Sequence, residues 1–283
     1  MNVRQLDISR RTIAVVAALI GTVSLAIGAH AALNMRSLDA AKAAVSTEQV
    51  TGSLGQTSRL ALIIGNGHYP DANAPLTQSI NDARALSSAL RKNGFDVDMV
   101  EDASKDDMVR AVNRLKSRIT RDSVVMLFFG GYGVQAGRES YMLPVDAVIW
   151  KESDVRRNGV SIDGVLEMMK EQGAKAKLVV VDASRRNPYE RRFRSYSHGL
   201  APISAPDNAL ILSSASPGKV ADDGKGEHSV LVSELLNNLN TKAGAEAVFN
   251  KTRVAISRAS EGDQVPTVSS SLLEDIQLNE AGG

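Results

Sequence analysis

Four short apolar runs recur along the chain, each bounded by turn residues or charges: Leu60–Ile64, Val124–Phe129, Leu178–Val181 and Ala209–Leu212; Val97–Val100, interrupted by Asp98, adds a shorter predicted strand. Runs of this length without polar alternation predict strands buried on both faces. Between them, apolar residues return every three or four positions. Ile80, Ala83, Leu86 and Leu90 form one stripe over Ser79–Lys92, closed by Asn93-Gly94. Met108, Val112, Leu115 and Ile119 form another, and Ser104 with Asp107 three residues on marks its start. Ser161 opens a shorter helix bearing Ile162, Val165, Leu166 and Met169. Two more helices are predicted over Ser229–Leu239 and Ala245–Ser257, the second with Ala247, Val248, Val254 and Ile256 as apolar positions. Strands alternating with helices predict an α/β fold, a mostly parallel sheet covered on both faces.

A different pattern precedes this. Thr12–Met35 is uncharged and rich in Ala, Val, Ile and Leu, long enough to cross a hydrocarbon core of about 30 Å. Arg4, Arg10 and Arg11 precede it against Asp7, which predicts a cytoplasmic N-terminus and an exported remainder. Ala29-His30-Ala31 fits a signal-peptide cleavage site. The alternative is that residues 1–35 stay as a membrane anchor. Ser9-Arg10-Arg11-Thr12-Ile13 also fits a twin-arginine export signal. Residues 36–57 are mostly small and polar and read as a linker. The globular domain is expected over 58–275, with a tail at 276–283.

Composition narrows the chemistry. A net charge of +1 gives no bulk argument for nucleic-acid binding. The chain has no cysteine, so disulfides, thiolate metal sites and thiol nucleophiles are excluded. With four histidines and no thiolates, nothing suggests a zinc site. No cofactor is implied.

Two strand exits carry the candidate site. Val179-Val180-Val181-Asp182-Ala183-Ser184-Arg185-Arg186-Asn187-Pro188 places an acid and a serine at the carboxyl end of a buried strand, where open α/β sheets hold their ligands. Upstream, Val124–Phe129 runs into Gly130-Gly131-Tyr132-Gly133-Val134-Gln135. The caspase signature joins a Cys-Arg type segment to a His about 50 residues earlier, a spacing that Ser184 and Tyr132 reproduce. "FFGGYGVQ" with "YMLPVDA", "VVVDASRRNP", "RLALIIGNGHY", "INDA" and "SSASPGKVADDG" together resemble the bacterial caspase-like family, the orthocaspases and metacaspases. There the equivalent segments read like "YAGHGVQ" and "LDACRDNP". The resemblance covers about residues 58–275 and implies a three-layer α/β/α sandwich with a caspase-like sheet. It also implies a bacterial protein; with the N-terminal segment read as an export signal or anchor, the expected location is periplasmic, anchored in the inner membrane if residues 12–35 are kept.

The departures matter as much. Tyr132 stands where the family has its catalytic His, and Ser184 where it has its Cys. A phenol with an ordinary pKa near 10 is a poor base, and a serine needs one. His68 and His198, both in expected loops, are the alternative bases. By the resemblance, Gly133 holds the oxyanion-hole position, Asp82 and Asp182 line a pocket for Arg or Lys side chains, and Ser216 belongs to a cleft wall. The plainer readings are a tight turn at Gly133, a helix-start charge at Asp82, a loop brace at Asp182 and a turn at Ser216-Pro217-Gly218. Arg185, Arg186, Arg191, Arg192 and Arg194 cluster around Tyr189 and Phe193. This cluster reads as a cleavage loop, as a patch for an acidic partner or anionic lipid head groups, or as a solvated basic loop. Arg186 stands where relatives usually carry Asp, so no calcium requirement is carried over. The sequence thus points to a pseudoenzyme that binds basic peptides or proteins, with an active caspase-like relative as one candidate partner. A serine-dependent hydrolase using Ser184 and a structural tether with a vestigial cleft are the alternatives.

Overall fold

The apolar runs become the strands of a sheet because no other arrangement buries both faces of each. The computed structural model describes residues 57–70, 75–183, 185–186, 188–189, 199–221, 226–239 and 241–279. The expected leader and linker, and Ser184, His198, Arg191, Arg192 and Arg194, lie outside the described residues. Strand β1 spans Arg59–Gly65, β2 Asp96–Glu101, β3 Val124–Gly130, β7 Ala176–Asp182, β8 Ala209–Ser213 and β9 Thr267–Ser270. Their order in the sheet is β2-β1-β3-β7-β8-β9. All neighbours pair in parallel except β8 and β9.

Helices cover both faces. One face packs Ile63, Phe128, Val180 and Leu212 against α1 (Thr77–Lys92), α5 (Val230–Leu239) and α6 (Ala245–Ala259). The other packs Leu62, Leu127, Val179 and Ile211 against α2 (Lys105–Arg118) and α4 (Ile162–Glu171). The expected starts of α2 and α4 are right in detail: Ser104 and Asp107 form a full capping box, and the Ser161 side chain accepts from Gly164 N–H. In α6 the expected face is partly wrong. Ala247 and Val254 are exposed, and the buried positions are Ala245, Val248, Phe249, Thr252 and Ile256. The inward threonine hides the true stripe from an apolar count.

Sequence periodicity misses three pieces. A small antiparallel sheet, β4 (Gly133–Ala136), β5 (Glu139–Met142) and β6 (Val160–Ser161), stands off the tip of β3. A short helix, α3 (Glu152–Asn158), precedes β6. Strand β9 closes the sheet edge with Thr-Val-Ser-Ser. Each is short or polar, with too few apolar positions to signal itself. Near the C-terminus, Ile276 and Leu278 are buried in the first core, and Arg59 Nη1 donates to Leu278 O at 3.0 Å.

The register fixes where a site can lie. Gly65, Gly130 and Asp182 are paired across adjacent strands, so the chain leaves β1, β3 and β7 at one level. Tyr132 and Asp182 sit on these exits.

Candidate functional site

The β3 exit is bonded directly to the β7 exit. Gly131 N–H donates to Asp182 O at 3.3 Å and Gly133 N–H to Ala183 O at 3.0 Å. Tyr132 is thereby held beside the residues immediately before Ser184. The glycines serve close approach here. A Cβ on Gly133 would lie 2.9 Å from both the Ala183 Cβ and O, and one on Gly131 would lie 2.6 Å from the Tyr69 hydroxyl. Neither has positive φ, so the turn expected at Gly133 is corrected to a packing requirement. The Gly133 N–H, the oxyanion-hole position by resemblance, is in this arrangement already used by Ala183.

Tyr132 is buried in an aromatic lock. Its ring meets Tyr69 edge-on, centroids 4.8 Å apart at 68°. Tyr132 N–H donates to the Tyr69 hydroxyl, which donates to Leu143 O, both at 3.0 Å. Asn66 completes the frame: its Oδ1 accepts from Ala103 N–H at 2.8 Å and its Nδ2 donates to Leu143 O at 3.1 Å. Burial pushes the Tyr69 phenol well above its ordinary pKa, so it stays a neutral donor. Its motif, "GNGHY", was visible in the sequence; its role as the anchor of Tyr132 was not.

His68, a candidate base, lies elsewhere. Its Nδ1 is 2.5 Å from Asp102 Oδ2, at the exit of β2, and its ring is 68% exposed. Burial works to raise Asp102, but N–H bonds from His68 and Gly67, and the His68 ring, outweigh it and hold the carboxyl below its ordinary range. The pair braces the β1–β2 edge, and β3 stands between β1 and β7.

Asp82 and Asp182 form the second half of the site. Both are buried, 1% and 2% exposed. Burial and the facing Asp182 carboxylate push Asp82 up to about 6, against bonds from Ser229 and the nearby His228. Asp82 Oδ1 is 3.0 Å from His228 Nδ1, and Ser229 N–H donates to Oδ1 and Oδ2 at 3.2 and 3.3 Å. Gln78 and Asn81 on α1 donate to Gly226 O and Glu227 O, which ties the 226–229 segment onto this helix. Asp182 Oδ2 is 3.5 Å from Arg185 Nη2, itself 4% exposed. That oxygen makes no hydrogen bond among the described residues. His228, Ser229 and Arg185 as partners of the acids were missed by sequence reasoning. Only the helix start at Ser229 carried a signal.

Ser216 is half-buried and its hydroxyl donates to Val265 O at 2.8 Å. It braces the β8 exit against the approach to β9, as Gln264 and Thr267 do through Ser214 O and Ala215 O. An apolar groove of about 290 Å³, lined by Leu200, Ile203, Ile211, Ser213, Ala215 and Pro217, runs beside it. Ile211 and Ser213 alternate with Leu210 and Leu212, so the groove opens on the α2/α4 face of the sheet. Asp182 continues the opposite face, that of Leu178 and Val180. The groove and the acidic pair therefore flank the strand exits from opposite sides.

Among the described residues, no cluster suited to a metal ion occurs, and no helix is long and apolar enough to cross a membrane.

Comparison with known proteins places these features. The family model Peptidase_C14, described as the caspase domain, matches residues 58–277. The Mucosa-associated lymphoid tissue lymphoma translocation protein 1 of Homo sapiens is 29% identical over 147 residues, 50% of this chain and 17% of that protein. Its Mus musculus homolog is 28% identical over 147 residues, with the same shares. The matched stretch is thus about a sixth of the length of these relatives.

Proposed function

Because the chain belongs to the caspase-domain family over residues 58–277, we propose that it is a non-hydrolysing member whose cleft binds Arg- or Lys-containing peptides or proteins, through Asp82 and Asp182. The observation that carries this is the buried acidic pair: a carboxylate oxygen of Asp182 without a hydrogen bond, facing a second buried acid. A ligand guanidinium brings a cation and paired donors that can satisfy this oxygen, which Arg185 at 3.5 Å leaves without a hydrogen bond. Tyr132 at the family's His position supports the loss of hydrolysis, because its backbone and ring are built into the aromatic lock and the chain has no cysteine. In this reading the protein acts by binding, as a regulatory partner of proteolysis outside the cytoplasm.

A serine-dependent hydrolase is the second reading. One observation favours it: Asp82 orients His228 through Nδ1, as the third member of a triad orients its base, and Asp82 faces Asp182, two residues before Ser184. Hydrolysis of a peptide with Arg at the cleaved position separates the two readings, with Ser184→Ala as the blank. Equal background rates are expected. Activity lost in the variant would establish the hydrolase.

A further inference from the structure

The acidic pair is already answered from within the chain, and unequally. Asp82 has a histidine and a backbone N–H at hydrogen-bond distance. Asp182 has Arg185, whose Nη2 stands 3.5 Å from Oδ2. That separation exceeds the 2.7–2.9 Å typical of a charge-assisted hydrogen bond. The pair is buried, so the two charges are not screened by water, yet their geometry leaves Oδ2 unsatisfied.

Arg185 belongs to no helix or strand. It follows the end of β7, and Tyr189, four residues on, is buried with its hydroxyl 3.4 Å from Ala147 O. The Arg185 guanidinium stands beside Asp182, buried with it. Two carboxylates face each other, with Arg185 beside one and His228 beside the other.

We infer that Arg185 is a built-in competitor for the Asp182 carboxylate, occupying the place that a ligand's basic side chain takes, so that the cleft's selectivity is set by exchange of Arg185 for that side chain. This rests on the reading that the pocket takes a basic side chain. It makes Arg185 a specificity-determining residue, one that separates ligands able to offer two aligned donors from those that offer a bare positive charge.

The test uses the full chain with Arg185→Met, an apolar residue of similar length, and Arg185→Lys. The Kd of an acetylated, amidated peptide with a single Arg should fall about tenfold in Arg185→Met, the scale of one close charge interaction. It should stay near wild type in Arg185→Lys. An unchanged or weaker Kd in Arg185→Met overturns the inference. Arg185→Ala with methylguanidinium provides a readout that needs no peptide. Methylguanidinium should raise the melting temperature of Arg185→Ala by more than that of wild type, where it must displace Arg185. A shift without peptide binding by any variant would support Arg185 as the occupant and defeat the peptide-cleft reading. Equal response of Arg185→Ala and wild type would defeat the inference.

Discussion

The two halves of the site are built on opposite principles. Around Tyr132 everything is neutral and matched: a tyrosine pair, a buried amide and a carbonyl at Leu143 that accepts from both Tyr69 and Asn66. Around Asp182 two buried acids meet, one held by His228 and Ser229, the other with an arginine 3.5 Å away and an oxygen without a hydrogen bond among the described residues. Neutral locks contribute stability. Buried charge with poor geometry costs it. A protein that keeps only its fold has no need of the second half. The proposed division, binding at the acidic pair and structure at the tyrosines, rests on this contrast.

Breaking the charged half should have the largest effect. Asp182→Ala leaves Arg185 buried without its carboxylate, a change that costs about 3–5 kcal/mol when one member of a buried pair is removed. Chemical denaturation should show that loss, together with loss of Arg-peptide binding. Truncating both members, Asp182→Ala with Arg185→Met, should recover much of the stability and none of the binding.

Breaking the neutral half should be milder. Tyr69→Phe removes the acceptor of the Tyr132 N–H and one donor to Leu143 O. One buried group left unsatisfied costs about 1–3 kcal/mol. Peptide affinity should be nearly unchanged, and a large drop would mean that the halves are coupled. Tyr132→His with Ser184→Cys restores the family's pair in a frame built for tyrosine. Weak Arg-directed cleavage by this variant would show that the cleft geometry is intact, and a folded, inert variant would show that the lock has displaced it.

The smallest effect is a pH dependence. Asp82, faced by Asp182, His228 and the Ser229 N–H, titrates near 6 in the folded chain, above its ordinary value of about 4. The raised folded value fixes the sign: Asp82 contributes most to stability below about pH 4, and that contribution fades as pH rises through about 6. Asp82→Asn removes the titration. The stability of the variant relative to wild type should therefore rise between pH 5 and pH 7.5, by about 1.4 kcal/mol. A flat difference would mean that Asp82 is not held in a low-dielectric site.

How much of this was legible depended on the kind of signal. The strands β1, β3, β7 and β8 announced themselves because each is apolar on both sides, and α1 and α4 because their stripes are uninterrupted. The pairing of Asp82 with Asp182 was legible only through the family motifs, since a hundred residues separate them and no periodicity links them. What stayed hidden follows from chemistry without local pattern. The 152–158 helix has one apolar residue, Val155. The β9 edge is mostly hydroxyl side chains. His228 gains its meaning from Asp82 across 146 residues. Tyr69 is the clearest case: it reads as an ordinary loop aromatic until its hydroxyl is found under the Tyr132 backbone.

The most direct test of the central claim is calorimetric titration of the full chain with a single-Arg peptide, the peptide recovered afterwards and checked for cleavage. The account predicts saturable binding to wild type, recovery of intact peptide and no binding to Asp182→Asn. Absence of binding to wild type, equal binding to Asp182→Asn, or recovery of cleaved peptide would contradict it.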